Sequence, residues 1–324
     1  MTDSESLGDE APRRRWLRPA LFTLLFVVVV YYPLGMWWFH VIDDDPNFTV
    51  ADSAVPPNSS RAVAMASSLI EREVDVHSWV ANDPWFKPSA MLDNMPNFQQ
   101  GIVGALARFA FELTDQIGRS RGSSQADKDL QEAAGLLQTP GNKWIFDLST
   151  SVLPASSAEA QYRKARRSLE NYNQRLSRGE AVFDRRSDNL ISTLDRMALD
   201  LGSSSAVLDT HIQANSHNVV DFQADDVFYT IKGVFYTIKG QAYGYYLLLR
   251  ELKQDHANVL RDREAGRIYD QMLISLHEAA VMRPLIVFNG PPDSSFLPSH
   301  LAAEGFYLLR ARTQLREITS VLAK

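Results

Sequence analysis

The sequence predicts an all-α protein, a single N-terminal transmembrane helix followed by a multi-helix bundle exterior domain. Three observations lead there. Residues 20–42, ALFTLLFVVVVYYPLGMWWFHVI, run 23 positions without a formal charge. Beyond residue 58, apolar side chains recur at helical spacing in most segments. The chain has no cysteine, so a disulfide framework and cysteine metal sites are excluded. Its 324 residues, 45% of them apolar, are ample for a globular core.

The apolar run comes first. A helix rising 1.5 Å per residue needs roughly 20 residues to cross the hydrocarbon of a bilayer. Lipid offers backbone amides no partner, so a spanning run must be helical. Arg13, Arg14, Arg15 and Arg18 precede it, and Asp43, Asp44 and Asp45 follow. Positive charge stays in the cytoplasm, which puts the N-terminus inside and everything after Ile42 outside. Tyr31, Tyr32, Trp37, Trp38 and Phe39 crowd the outer end, where amphipathic rings favour the headgroup region. His40 reads as an interfacial residue. A cleaved signal peptide has a shorter apolar core and a small-x-small cleavage site. This run is longer and ends in bulky aromatics, which favours an uncleaved anchor.

Residues 1–19 carry four basic and four acidic side chains and read as a disordered cytoplasmic tail, so the net charge of −6 belongs to the remainder. An acidic exterior argues against nucleic acid as the partner. Residues 43–58 read as a linker stiffened by Pro46, Pro56 and Pro57. Residues 59–324 then form the exterior domain, with a possible subdivision near 139–156.

Within that domain a helix is expected from about Ser60 to Val80. The irregular segment NDPWFKPSAMLDNMPNF, residues 82–98, follows. The next helix is the clearest: Phe98, Ile102, Leu106, Phe109, Leu113 and Ile117 form one face. Shorter helices are expected at 127–137 and after Ser156 or Ser157. Another runs from Ser187 to about Ile212, where Gly202 and three serines are candidate breaks. Residues 144–153 are the best strand candidate, with a short helix as the equal alternative.

Residues 227–240 repeat VFYTIKG twice. The residue types favour strands, and a hairpin around Lys232–Gly233 is one reading. The period favours the other. Val227, Ile231, Val234, Ile238, Gln241, Tyr245, Leu248 and Leu252 alternate steps of four and three, which predicts one helix from about Ala224 to Asp255. Gly233, Gly240 and Gly244 lie near one face of it and would admit a close neighbour. Helices at about 261–282 and 299–323 complete a bundle of six to eight.

NDPWFKPSAMLDNMPNFQQGI (82–102), DDVFYTIKG (225–233) and VFNGPPDSSFLPSHLAAEGFYLLRARTQLREI (287–318) resemble the bacterial DUF2333 family. The layout of one N-terminal span and a helical exterior is similar too. The resemblance implies an uncharacterised envelope protein of Gram-negative bacteria; with the orientation read from the flanking charges, the expectation is a single-pass protein of the inner membrane with a periplasmic C-terminal domain. It supplies no catalytic residue. The second VFYTIKG copy departs from the family's pattern.

Signatures of known chemistry are missing from the sequence. It has no HExxH, GxSxG, Walker loop or GxGxxG, so no cofactor is expected. His300 and Glu304, four apart, share a helix face and with Asp293 make a weak metal candidate. The simpler expectation is that Asp293 or Ser299 caps the helix and His300 makes a local hydrogen bond. Arg163, Lys164, Arg166, Arg167, Arg175 and Arg178 belong to a stretch, 163–186, with eight basic and three acidic side chains. It reads either as a contact for anionic headgroups or an acidic partner, or as an ordinary solvated face. Trp85, Phe86, Met91, Met95 and Phe98 either line an apolar groove or form a lid that buries the end of the bundle. Asp83, Asp93, Asn94 and Asn97 beside them fit turn and cap positions.

Two functions follow as expectations. One is a membrane-tethered scaffold or adaptor that binds an envelope protein partner. The other is an enzyme or ligand carrier with a pocket between the 82–98 and 285–300 loops. That pocket would use Asp83, Trp85, Phe86, Asp93, Asn94, Asn97, Asn289, Asp293, His300 and Glu304.

Overall fold

The computed structural model describes residues 13–52, 55–120, 127–146, 154–214, 233–284, 286–290 and 298–324. Among them are ten α-helices and no strand. They are α1 (Arg13–Phe39), α2 (Arg61–Glu71), α3 (Asn94–Ser120), α4 (Lys128–Leu137), α5 (Ala158–Ser177), α6 (Ser187–Ala214), α7 (Val234–Asp255), α8 (Ala257–Asp262), α9 (Gly266–Ala280) and α10 (His300–Leu322). Asn289 and Ser299 form an isolated antiparallel bridge.

Helix α1 is long and apolar enough to cross a membrane, and none of its apolar stretch is buried in the protein. It starts and ends a few residues earlier than the run of uncharged residues suggests. The other helices share one apolar core. Helix α7 lies at its centre, packed most extensively on α3 and also on α9 and α2. Helices α6, α10 and α9 form one flank, and α4, α5 and α2 the other. α3 buries Phe98, Ile102, Leu106, Phe109 and Leu113, the face read from its spacing.

Three local expectations need correction, and one open alternative is settled. The second VFYTIKG copy is the first two turns of α7, so heptad spacing prevails over β propensity and the hairpin is excluded. The first copy, residues 227–233, lies outside the described residues apart from Gly233. α6 runs unbroken through Gly202 and its serines. The side chain of Arg312 on α10 crosses directly over Gly202, where a Cβ would collide with it. The helix expected at about 261–282 is α9, which starts only at Gly266; the short α8 precedes it, and Glu264, with a positive φ of 52°, lies between the two. Residues 144–146 form no strand, and 147–153 lie outside the described residues.

Candidate functional site

The densest group of buried charges lies where the chain leaves α1 and joins the bundle. Lys239, Tyr243 and Arg250 fall on one stripe of α7, and Glu251 and Asp255 fall on the stripe beside it. All five reach residues 43–62. Asp44 is 0% exposed, and its Oδ2 accepts a hydrogen bond from Lys239 Nζ at 2.5 Å, the lysine being 1% exposed. Arg283, just past α9, closes on the same carboxylate through Nε at 2.9 Å and through Nη2. Tyr243 Oη donates to the Asp45 carbonyl at 2.8 Å. Arg250 donates to the carbonyls of Pro46 and Phe48 at 2.7 and 2.5 Å.

Arg72 backs this strap. It lies in a five-residue π-helical turn, Arg72–Val76, that ends α2. Its guanidinium sits 4.6 Å from the Phe48 ring and 5.1 Å from the Tyr243 ring, donates to Tyr243 Oη at 2.8 Å, and pairs with buried Glu73. Farther along α7, Asp255 accepts from Ser60 Oγ and from the amides of Arg61 and Ala62. It therefore supplies the anion that the N-terminus of α2 favours. Arg61 pairs with Glu251 at 2.9 Å. The stretch expected as a linker is thus clasped along α7.

The electrostatics follow from burial. Burial alone pushes the Asp44 carboxyl up. Hydrogen bonds from Arg283 and Lys239 more than offset that and hold it below the usual carboxylate range. Burial pulls the Lys239 ammonium down against the opposing pull of Asp44. Glu304 on α10 is 0% exposed, and neither carboxylate oxygen has a hydrogen-bond partner among the described residues. Burial pushes its carboxyl well above the ordinary 4.5, with Lys239 pulling the other way. The folded protein therefore holds the Glu304 proton more tightly than the unfolded chain does. Stability should fall as pH rises above 4.5 toward the raised folded value. Glu304→Gln should remove that fall. Urea unfolding of both proteins from pH 4.5 upward measures it, and parallel pH profiles would refute it.

Toward the C-terminal end of α1, Tyr31 and Tyr32 donate their hydroxyls to the carbonyls of Phe86 and Trp85 at 3.2 and 3.0 Å. Gly35 lies so close to Pro88 that a Cβ there would be 2.3 Å from the proline ring. The Val41 amide points at Met95 Sδ, 3.3 Å away.

The residues picked out from sequence distribute as follows. Asp83 accepts from Lys87 and Ser89, closing its own turn. Asp93 accepts from the Asn94 amide at the start of α3. Asp93 and Asn94 also line a cleft of about 410 Å³ with Met36, Trp37 and His40. Asn97 packs on Gly233 and accepts from Thr237. Met95 and Phe98 are buried, whereas Trp85 is 76% and Phe86 50% exposed, so the lid reading fails for these two. Asn289 is buried beside the bridge to Ser299. Ser299 caps α10, and His300 Nδ1 accepts from the Phe288 amide at 2.9 Å. Asp293 lies outside the described residues. Among the described residues, no hydrogen bond of Asp83 or His300 joins the 82–98 segment to the 285–300 segment.

The basic stretch is largely paired. Arg163 meets Asp75, and Lys164 meets Glu132. Arg166 meets Glu71, Asp75 and Glu170, and Arg175 meets Asp127 and Asp129. These pairs tie α5 to α2 and α4. Arg167 and Arg178 remain exposed.

Sequence reasoning missed Asp44, Lys239, Arg283, Arg72 and Glu73 as a group. For Lys239 a signal existed: its neighbours four before and three after, Phe235 and Ala242, are both core residues.

An exposed apolar helix clasped by buried ion pairs to a helical bundle defines an all-helical protein with one N-terminal segment able to span a membrane. The chain belongs to DUF2333, a family described as uncharacterized protein conserved in bacteria, whose profile matches residues 12–324. No curated protein and no solved structure matches it.

Proposed function

We propose that this is a single-pass protein of the bacterial inner membrane, with a cytoplasmic N-terminus and a periplasmic helical domain that binds an envelope protein as a non-enzymatic scaffold. The joint between α1 and the bundle carries the reading. A signal peptide is discarded and gains nothing by packing on the mature protein. Here Tyr31 and Tyr32 bond to the 85–86 backbone, and Asp44, five residues past α1, is locked in the core. Both contacts support a retained anchor. Arginines in the first turns of α1 and aspartates after it support the orientation.

The scaffold role is supported by where the charged side chains go. Those at the joint serve helix pairing, while apolar residues such as Ile274 on α9 and Phe306 on α10 remain more than half exposed. Two measurements test the reading. Alkaline phosphatase fused after Lys324 should be active; activity only of a cytoplasmic reporter there would overturn the orientation. Cysteines at Ile274 and Phe306, in this cysteine-free chain, should cross-link in cells to one discrete protein. Absence of an adduct from both positions would overturn the scaffold role.

A further inference from the structure

We infer that the segment Pro84–Met91 is a second membrane contact, in which Trp85 and Phe86 enter the outer face of the bilayer beside α1. This rests on α1 being a span. Depth is the first argument. Tyr31 and Tyr32 lie eight and seven residues before Phe39, about 10–12 Å along the helix at 1.5 Å per residue. The headgroup region on each side is only about 5–7 Å thick. A backbone bonded to those tyrosines therefore reaches the depth at which hydrocarbon begins, and the proline of this segment at 88 sits against Gly35 of α1.

Surface chemistry is the second argument. Trp85 and Phe86 stack edge to face at 6.0 Å and are far more exposed than aromatics on a solvated loop favour. Trp37 and Trp38 on α1 are exposed in the same way, and together they form an interfacial aromatic belt contributed by two parts of the chain.

Satisfaction of the carbonyls is the third. Backbone carbonyls entering lipid need internal donors. The Trp85 and Phe86 carbonyls accept from the tyrosines. The Pro84, Lys87 and Ser89 carbonyls accept from the amides of Lys87, Ala90 and Leu92, and Pro84 and Pro88 carry no amide hydrogen. The Asp83 carboxylate is met by Lys87 and Ser89. The occupant of this surface is thus the bilayer that α1 crosses.

Single cysteines in the full chain test it. Nitroxide labels at Val28→Cys, Trp85→Cys, Phe86→Cys and Asp262→Cys are compared in vesicles of phosphatidylethanolamine and phosphatidylglycerol. The readout is collision with oxygen against collision with a water-soluble nickel chelate. Labels at 85 and 86 should be severalfold less accessible to nickel than the label at 262, an exposed position beyond the far end of α7, and should approach the label at 28. Nickel access at 85 and 86 equal to that at 262, with 28 protected, overturns the membrane contact alone. Nickel access at 28 overturns the span itself. A label at Lys87, half exposed, repeats the comparison if a cysteine at 85 or 86 disturbs the segment.

Discussion

Asp44→Ala should cost about 3–5 kcal/mol at neutral pH, because it strands the Lys239 ammonium in the core. Arg283, the other partner, is largely exposed and can return to water, but Lys239 cannot. The remaining acidic neighbour is Glu304, whose carboxyl burial pushes well above its ordinary range, which weakens it as a counter-charge. The loss should shrink as pH rises. With Asp44 gone, the lysine prefers to be neutral when folded and charged when unfolded. The unfolded chain then binds more protons, and stability climbs with pH. Pairing Asp44→Leu with Lys239→Met should recover most of the loss, since an apolar pair of similar volume often equals a buried ion pair. Chemical unfolding of the two single variants and the double variant measures the coupling. Additive losses would show that the pair is not what holds the strap.

The fold was legible where one period dominated. α3 steps by fours and threes over 20 residues, and its apolar face is the buried face. α7 was legible in spite of its valines, tyrosines and threonine, because spacing outweighed residue type. Breaks were less legible. Gly202 looks like a helix breaker, yet Arg312 from a distant helix occupies the space beside it. Glu264 carries no sign of the positive φ that parts α8 from α9.

The joint was legible by half. Asp43 to Asp45 marked the end of the apolar run, but an acidic run after an apolar segment reads as solvated. That Asp44 meets a lysine 195 positions away is a property of the packed bundle, not of any local pattern. The basic stretch shows the converse. Its charge excess stood out, while the acids that answer it, at 71, 75, 127, 129 and 132, are scattered over three other segments.

Gly240→Ala should be the most damaging addition of a single methyl group. The Cβ would lie 2.1 Å from the Phe98 carbonyl oxygen of α3, a backbone atom with no rotamer to escape into. Gly101, across the same seam, faces the Thr237 carbonyl at the same distance. The two helices therefore touch backbone to backbone, one glycine from each, as the cluster of glycines on one face of α7 led one to expect. Overpacking a tight core costs typically 1–3 kcal/mol and occasionally more. Here α3 and α7 must separate along the most extensive helix pair in the molecule, so about 3 kcal/mol or more is expected. Gly104→Ala is the control. It lies on the exposed side of α3 with open space around it, and alanine there should stabilise the helix by up to about 1 kcal/mol. Thermal unfolding of the two variants should move in opposite directions. If Gly240→Ala unfolds at the wild-type midpoint, the helices are not in backbone contact, and the placement of Lys239 against Asp44, one residue away, loses its support.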